Sequence, residues 1–170
     1  MYQIIDNFKF DEVNVMNELV FRNLSEDAKR QICAWKYGGE YDLYNLPAYE
    51  EMQVRQIGFM NPKSEKNYYG FWDESILVGF VNILEEKEEV FIGIGVNPDL
   101  CNKHYGQRML LITYEISKKL YPNKPLYLEV RTWNIRAVKC YQKAGFRIDG
   151  QAYELTTGIG TGTFYRMIRE

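Results

Sequence analysis

Apolar residues in the first third of the chain recur every three to four positions, the spacing of one buried helix face. This spacing predicts a helix over residues 11–21 and a second helix that starts after Ser25, a common N-cap residue. Gly38 and Gly39 are expected to end the second helix. A third helix is predicted from Pro47 onward, after an aromatic-rich loop.

Strand-like stretches fill the middle of the chain. The sequence predicts a hairpin of two strands, residues 67–72 and 76–84, joined by the polar turn 73–75. A charged turn over residues 85–89 then leads into a third strand over residues 90–96. The middle of the chain is therefore expected to form antiparallel hairpins.

Helices and strands alternate in the last third. In order, the predicted elements are a helix over residues 106–120, a strand over 126–131, a helix over 134–144, a strand over 146–153, a mobile Gly-alternating loop over 156–163 and a strand over 164–168. The strands 90–96 and 126–131 are joined through a helix, so they are expected to be parallel. Together these elements predict an α+β fold with a mixed, mostly antiparallel central sheet and flanking helices.

Length and charge exclude several classes of protein. The 170 residues suit a single domain that spans residues 1–170. The net charge of −2, from 21 basic and 23 acidic residues, argues against a general nucleic-acid binder, which needs a basic excess. No run of about 18 apolar residues occurs, so no membrane segment is expected.

Compartment and metal content follow from a few residue types. The N-terminus lacks the basic and apolar regions of a signal peptide. The three cysteines have no paired spacing, which suits a reducing compartment and no disulfide framework. We therefore expect a cytoplasmic protein. With His104 as the one histidine, no metal site is expected.

Residues 96–108 connect a predicted strand to a predicted helix and resemble a phosphate-binding loop. A helix N-terminus offers unpaired backbone N–H groups and a partial positive charge to an anion. Lys103 and Arg108 add formal charge there, and Gly106 allows close approach of the backbone to a ligand. An ordinary capped loop is the alternative, because the segment matches neither the P-loop nor the dinucleotide-binding motif.

A more specific pattern occupies residues 126–146. A strand of type Leu-x-Val is followed at fixed spacing by Asn134, Ala137, Tyr141, Lys143, Gly145 and Phe146. This pattern resembles the Gcn5-related N-acetyltransferase (GNAT) superfamily, and the wider resemblance covers about residues 67–153. It implies the GNAT fold and transfer of an acetyl group from acetyl-coenzyme A to an amine. The Leu-Glu-Val-Arg strand is also similar to that of ribosomal-protein alanine N-acetyltransferases.

The resemblance further implies which residues bind acetyl-CoA as a co-substrate. The strand edge that pairs with the pantetheine arm corresponds to backbone groups of Ile94, Gly95 and Val96. The pyrophosphate loop corresponds to Cys101, Asn102, Lys103, His104, Tyr105, Gly106, Gln107 and Arg108. The set is completed by Asn134, Tyr141 and Lys143. Cys101 and His104 depart from the family pattern, in which Arg or Gln and then Gly are usual at these positions.

Two residues are candidates for catalysis by the same resemblance. The Tyr141 hydroxyl would protonate the leaving thiolate, and the alternative is a tyrosine of the core. Glu129 would take the proton of the attacking amine, and the alternative is an ordinary Glu beside Arg131 on a polar strand face.

The acceptor is expected to be a small-molecule or peptide amine, with no nucleic acid and no membrane as partner. Five aromatic residues either line the acceptor side or belong to the core: Trp35, Tyr41, Tyr44, Tyr68 and Tyr69. A sensor domain that binds acetyl-CoA without turnover is the alternative function, which the altered loop at Cys101 and His104 leaves open. The closing strands also allow pairing across a two-fold axis in a homodimer.

Overall fold

The structure, a computed structural model, describes residues 19–170. The strands of this part are β1 Val20–Asn23, β2 Tyr68–Asp73, β3 Ile76–Glu85, β4 Val90–Val96, β5 Leu126–Arg131, β6 Arg147–Ile148, β7 Tyr153–Thr157 and β8 Gly160–Arg169. Its α-helices are α1 Glu26–Ala34, α2 Tyr49–Arg55, α3 Tyr105–Leu120 and α4 Ile135–Lys143. Short 3₁₀ turns, such as Gly39–Tyr44 and Pro98–Leu100, lie between them.

The strands of this part form one sheet, in the order β1-β2-β3-β4-β5-β8-β6, with β7 also paired to β8. β4 and β5 are parallel, as predicted, and the other neighbours are antiparallel. α3 connects the parallel pair, which is the crossover that the sequence predicts. The predicted mixed, mostly antiparallel α+β fold is confirmed.

Hydrophobic cores lie on both faces of the sheet, because successive side chains of a strand point to opposite faces. Phe71 and Val81 belong to the core that contains Met109 of α3. Trp72 and Phe80, their neighbours in β2 and β3, pack instead with the core of α1 and α2. The helices that flank the site are thereby fixed on opposite faces of the same strands.

The first predicted helix is wrong where the structure describes it. Residues 11–18 of that prediction lie outside the described residues, whereas Val20 and Phe21 belong to β1 and pair with β2. Phe21 stacks on Tyr69 of β2, with ring centroids 4.7 Å apart. This tertiary contact favours an extended backbone over the helical spacing of the local sequence.

The second predicted helix, α1, starts as expected but ends early. The Ala28 N–H donates to Ser25 Oγ at 3.2 Å, so Ser25 is the predicted N-cap. The helix ends at Ala34 rather than at Gly38 and Gly39, because Trp35 already has an extended backbone and packs against the second core. β4 and β5 have the predicted bounds, and α2, α3, α4, β2 and β3 lie within two residues of theirs.

The C-terminal prediction needs two corrections. Residues 146–153 form no continuous strand, because Gly150 has a φ of 80° that breaks the extension between β6 and β7. Residues 156–163 are not a mobile loop: β7 and β8 continue through them as a hairpin that turns at Gly158 and Ile159. The strand predicted over residues 164–168 is therefore the second half of the longer β8.

Candidate active site

The candidate site is a cleft between β4 and β5. These parallel strands pair over two residues at their starts: Val90 with Leu126 and Phe91 with Tyr127. Beyond these pairs the strands diverge, and residues 92–96 and 128–131 line a cleft of about 570 Å³. Because the ladder stops there, this edge of β4 offers backbone groups to an extended ligand.

The predicted backbone positions on β4 all line this cleft: Ile94, Gly95 and Val96. Gly95 has no room for a side chain, since a Cβ there would lie 2.3 Å from the ring of Phe80. The Val96 carbonyl already accepts a hydrogen bond from the Tyr37 hydroxyl at 2.6 Å. Ile94 and Gly95 are therefore better candidates than Val96 for pairing with a ligand.

The predicted phosphate loop forms a tight turn at the start of α3. Asn102 and His104 both have left-handed backbones, with φ of 65° and 64°. His104 is the N-cap of α3, and its side chain makes no capping hydrogen bond. The first-turn N–H groups of α3 have no acceptor within the helix, which leaves them for an anion.

Gly106 also has a packing role that the sequence did not predict. A Cβ at this position would lie 3.1 Å from Cys140 Sγ and 3.4 Å from Val96 Cγ2. The small residue therefore lets α3 pack closely on α4 and the end of β4. Cys101, Tyr105, Gly106 and Gln107 all line the cleft, as do Asn102 and His104.

The two predicted basic residues of the loop do not line the cleft. Lys103 is exposed. The Arg108 guanidinium lies 3.9 Å from the Asp73 carboxylate and over the ring of Tyr105. Tyr105 also donates to Asp73 at 2.6 Å, and this hydrogen bond raises the pKa of Tyr105. Asp73 thus draws Arg108 toward the end of β2.

Asn134 caps α4 and lies buried beside the cleft. Its Oδ1 accepts from the Ala137 N–H at 3.1 Å, which confirms the predicted N-cap. Its Nδ2 donates to the Tyr44 hydroxyl at 3.3 Å. Tyr44 and Tyr41 both pack on Trp133, with ring centroids 6.0 and 5.6 Å away. One side chain therefore connects the α4 N-terminus to the 3₁₀ segment Gly39–Tyr44.

Replacing Asn134 tests its role as the N-cap of α4. Asn134→Ala should lower the free energy of unfolding by about 1 kcal/mol, because the cap is lost. Asn134→Asp keeps the capping acceptor and adds a charge that the helix N-terminus favours, so it should retain wild-type stability. Urea unfolding of the three proteins checks this. Equal loss of stability in both variants would contradict the capping role.

Tyr141, the candidate acid, lies on α4, partly buried, and lines the cleft. Burial raises the pKa of its hydroxyl well above the usual value for tyrosine. The phenol therefore stays protonated at neutral pH, as a proton donor must. Tyr141 also packs near Phe146, so the alternative core role accounts for part of its environment.

Glu129 lies on β5 and lines the same cleft. Its carboxylate accepts a hydrogen bond of 2.5 Å from the Tyr153 hydroxyl, which reaches across β8 from β7. Burial, followed by this bond, raises the pKa of Tyr153, so that hydroxyl stays protonated and remains a donor. Arg131 directs its guanidinium to carbonyls of the β7–β8 hairpin. Glu129 thus contacts a tyrosine that the sequence reading did not select.

The five aromatic candidates for the acceptor side lie in three different environments. Trp35 and Tyr44 line the cleft. Tyr68 and Tyr69 belong to the two cores. Tyr41 lies under the Arg136 guanidinium, which is 4.1 Å from the ring centroid.

Sequence reasoning missed several residues of the cleft, among them Tyr37, Arg136, Lys139 and Phe164. Lys143, which was predicted, lines it from an exposed position, and its carbonyl accepts from Gln107 Nε2 at 3.3 Å. The spacing of Arg136 and Lys139, two and five residues after the cap of α4, is the signal that points to this cleft.

The lining fits a long anionic ligand with an apolar arm. The residues that line the cleft include one acidic residue, Glu129, and four Arg or Lys residues: Arg131, Arg136, Lys139 and Lys143. The open edge of β4 and the start of α3 have backbone groups of the kinds that bind an extended chain and an anion. Within residues 19–170, His, Cys, Asp and Glu side chains form no group that could hold a metal ion. In the same residues, no helix has the length and apolar character needed to cross a bilayer.

Comparison with known proteins identifies the class of enzyme. The sequence profile of the Acetyltransferase (GNAT) family matches residues 29–146, more than half of the chain. No curated protein sequence matches at a significant level. The chain therefore belongs to the GNAT family and is an acetyl-CoA-dependent N-acetyltransferase, as predicted.

Solved structures share the fold. Spermidine N-acetyltransferase from Vibrio cholerae, in complex with CoA and spermine, aligns with a TM-score of 0.71 and 17% identity over 89% of this chain and 94% of that chain. Ribosomal-protein-S18-alanine N-acetyltransferase from Escherichia coli aligns with 0.61 and 18% over 89% and 92%. A GNAT-family acetyltransferase from Streptococcus pneumoniae aligns with 0.64 and 24% over 89% and 98%. At these identities the alignments show a common fold.

Proposed function

We propose that this protein transfers the acetyl group of acetyl-CoA directly to the primary amine of a small molecule or peptide, with Tyr141 as general acid and Glu129 as general base. One observation carries the proposal: Tyr141 on α4 and Glu129 on β5 line the same cleft. Their spacing of twelve residues in sequence does not require this. The proposal also takes residues 1–170 as a single domain.

The cleft supports a defined division of binding roles. When bound, acetyl-CoA supplies the activated thioester. The edge of β4 at Ile94 and Gly95 supports the arm, because the β4–β5 ladder ends before it. The α3 N-terminus and Arg136 favour the phosphates. Asn134 offers further hydrogen-bonding capacity beside the arm if its bond to Tyr44 opens.

Proton transfers at the nitrogen and at the sulfur complete the proposed chemistry. The Glu129 carboxylate accepts one proton from the bound ammonium, directly or through one water, and so frees the nitrogen lone pair. A bond then forms between the amine nitrogen and the acetyl carbon, the carbon–sulfur bond breaks, and the nitrogen releases its second proton to water. The Tyr141 hydroxyl donates its proton to the departing sulfur. Tyr153 holds the Glu129 carboxylate in place through its hydrogen bond.

Acetyl-CoA should raise the melting temperature of the protein, because a ligand that binds the native state stabilises it. At about 100 times its Kd, the expected gain is about 2.7 kcal/mol. The same concentration of sodium pyrophosphate is the control for ionic strength and diphosphate binding alone. Thiol release over a panel of amines then tests turnover.

The two readouts distinguish the possible outcomes. Stabilisation together with thiol release on at least one amine supports the proposed function. Stabilisation without thiol release on any amine would contradict it and favour a sensor. Failure of millimolar acetyl-CoA to stabilise the protein would contradict cofactor binding at the cleft.

A further inference from the structure

Arg131 is a buried cation whose guanidinium is held by backbone carbonyls of the β7–β8 hairpin. Its side chain, at the end of β5, is 8% exposed. Its Nη1 donates to the Thr161 carbonyl at 3.3 Å, and its Nη2 donates to the carbonyls of Ile159 and Gly160 at 3.4 and 3.2 Å. The ring of Phe164 lies 5.0 Å from the guanidinium carbon. The tip of the β7–β8 hairpin therefore wraps around the end of this side chain.

The hairpin requires glycine at position 162 to leave room for the Arg131 guanidinium. A Cβ at Gly162 would lie 2.0 Å from Arg131 Nη1, well inside contact distance. The alternation of Thr and Gly over residues 156–163, which suggested a mobile loop, instead leaves space for the guanidinium. The absence of a side chain at Gly162 is therefore what allows the hairpin to close around Arg131.

The charge of Arg131 has no carboxylate partner among the described residues. Its hydrogen bonds go to neutral carbonyls, and its buried Nε has no partner there. Buried Arg residues are normally paired, because an uncompensated buried charge is costly. Arg166 on the adjacent β8 shows the usual arrangement, with Glu89 and Asp149 as partners. A buried cation that lines the cleft without an anion is suited to a ligand that brings one.

Glu129 lies next to Arg131 on the same face of β5. Residues two apart on a strand point to the same side and are separated by about 7 Å. Both residues line the cleft. A carboxylate and a guanidinium from successive positions on one strand face complement a molecule that carries an ammonium and a carboxylate. Trp35, Leu46 and Phe80 line the same cleft and suit an apolar remainder.

We infer that the acceptor is a small amino acid with an apolar side chain, whose carboxylate is recognised by Arg131 while Glu129 faces its amine. This inference rests on the proposed function, because Glu129 must lie where the amine reacts. A polyamine carries only positive charge and would meet the buried guanidinium without compensation. A peptide N-terminus has a neutral carbonyl where the free amino acid has its carboxylate.

Paired acceptors test the inference. Thiol release is measured for leucine and phenylalanine, for their carboxamides, and for spermidine. The wild type should prefer the amino acid to its carboxamide by about ten-fold or more in kcat/KM, the size expected of a charged hydrogen bond. In Arg131→Gln this ratio should fall at least ten-fold. The ratio is the readout because a loss of stability would lower both rates together.

Gly162→Ala is the second variant and retains the charge. Its Cβ should displace the guanidinium from the hairpin, so the preference for the carboxylate should fall even if Arg131→Gln does not fold. Gly158→Ala, at a hairpin position with open space around it, is the matched control and should keep the preference.

Three results would overturn the inference while leaving the proposed function intact. The first is turnover of other amines but of no amino acid, and the second is equal turnover of acid and amide by the wild type. The third is an unchanged ratio of acid to amide turnover in folded Arg131→Gln or Gly162→Ala. Absence of thiol release with every amine would overturn the proposed function and this inference with it.

Discussion

Tyr141→Phe is expected to lower kcat about 100-fold or more while the protein remains folded, because general acid catalysis contributes about 10²–10⁴ in rate. The substitution removes one hydroxyl and keeps the ring that packs on the core near Phe146. Burial raises the pKa of this hydroxyl, so the phenol is protonated throughout the neutral range and should not itself limit the rate there. Steady-state kinetics with saturating acetyl-CoA measures the effect.

Tyr114→Phe is the matched control for Tyr141→Phe. Tyr114 lies on α3, and its hydroxyl donates to the exposed Glu170 carbonyl at 2.7 Å. Loss of that hydroxyl should leave kcat within about two-fold of wild type, because surface substitutions have small effects. A Tyr141→Phe protein with wild-type kcat would remove the acid role and leave Tyr141 as a residue of the core.

Glu129→Gln is expected to lower kcat/KM at neutral pH about 100-fold and to change its pH dependence. The wild type binds the ammonium form of the acceptor and removes the proton on the enzyme, so its rate should change little as the pH falls below the pKa of the amine. The variant has no carboxylate to take the proton and depends on the free amine. Its kcat/KM should therefore fall ten-fold for each pH unit below the pKa of the amine.

Raising the pH provides the rescue experiment for Glu129→Gln. The rate of the variant should approach that of the wild type as the amine becomes neutral. Tyr153→Phe, which removes the hydrogen bond that holds the carboxylate, should cost less than Glu129→Gln and keep the wild-type pH profile. If Glu129→Gln also keeps that profile, the base is another group or a water.

The fold was largely predictable because its signals are local. The bounds of β4 and β5 follow from apolar runs between turn residues. The caps at Ser25 and Asn134 follow from short-range hydrogen bonds of side chains to the next helical turn. β1 was mispredicted, because pairing with β2 is a long-range contact that helical spacing does not reveal.

The candidate site was predicted in part. Residues of one segment, such as Asn134 and Tyr141, could be placed beside the cleft because α4 carries them at fixed spacing. Arg108 could not, because it does not line the cleft and lies instead near Asp73, which is distant in sequence. Tyr153 was missed for the same reason, since its contact with Glu129 crosses an intervening strand.

By itself, the sequence determined the fold class, from its periodicity, and the family, from motif residues at fixed spacing in one segment. The resemblance to that family then implied the candidate acid and base. Tertiary structure decided which charges are neutralised. Arg108 and Arg166 have carboxylate neighbours, whereas Arg131 has carbonyl acceptors and no carboxylate neighbour within residues 19–170. Pairing of charges depends on distance in space and on burial, and neither is encoded in the spacing of residues along one segment.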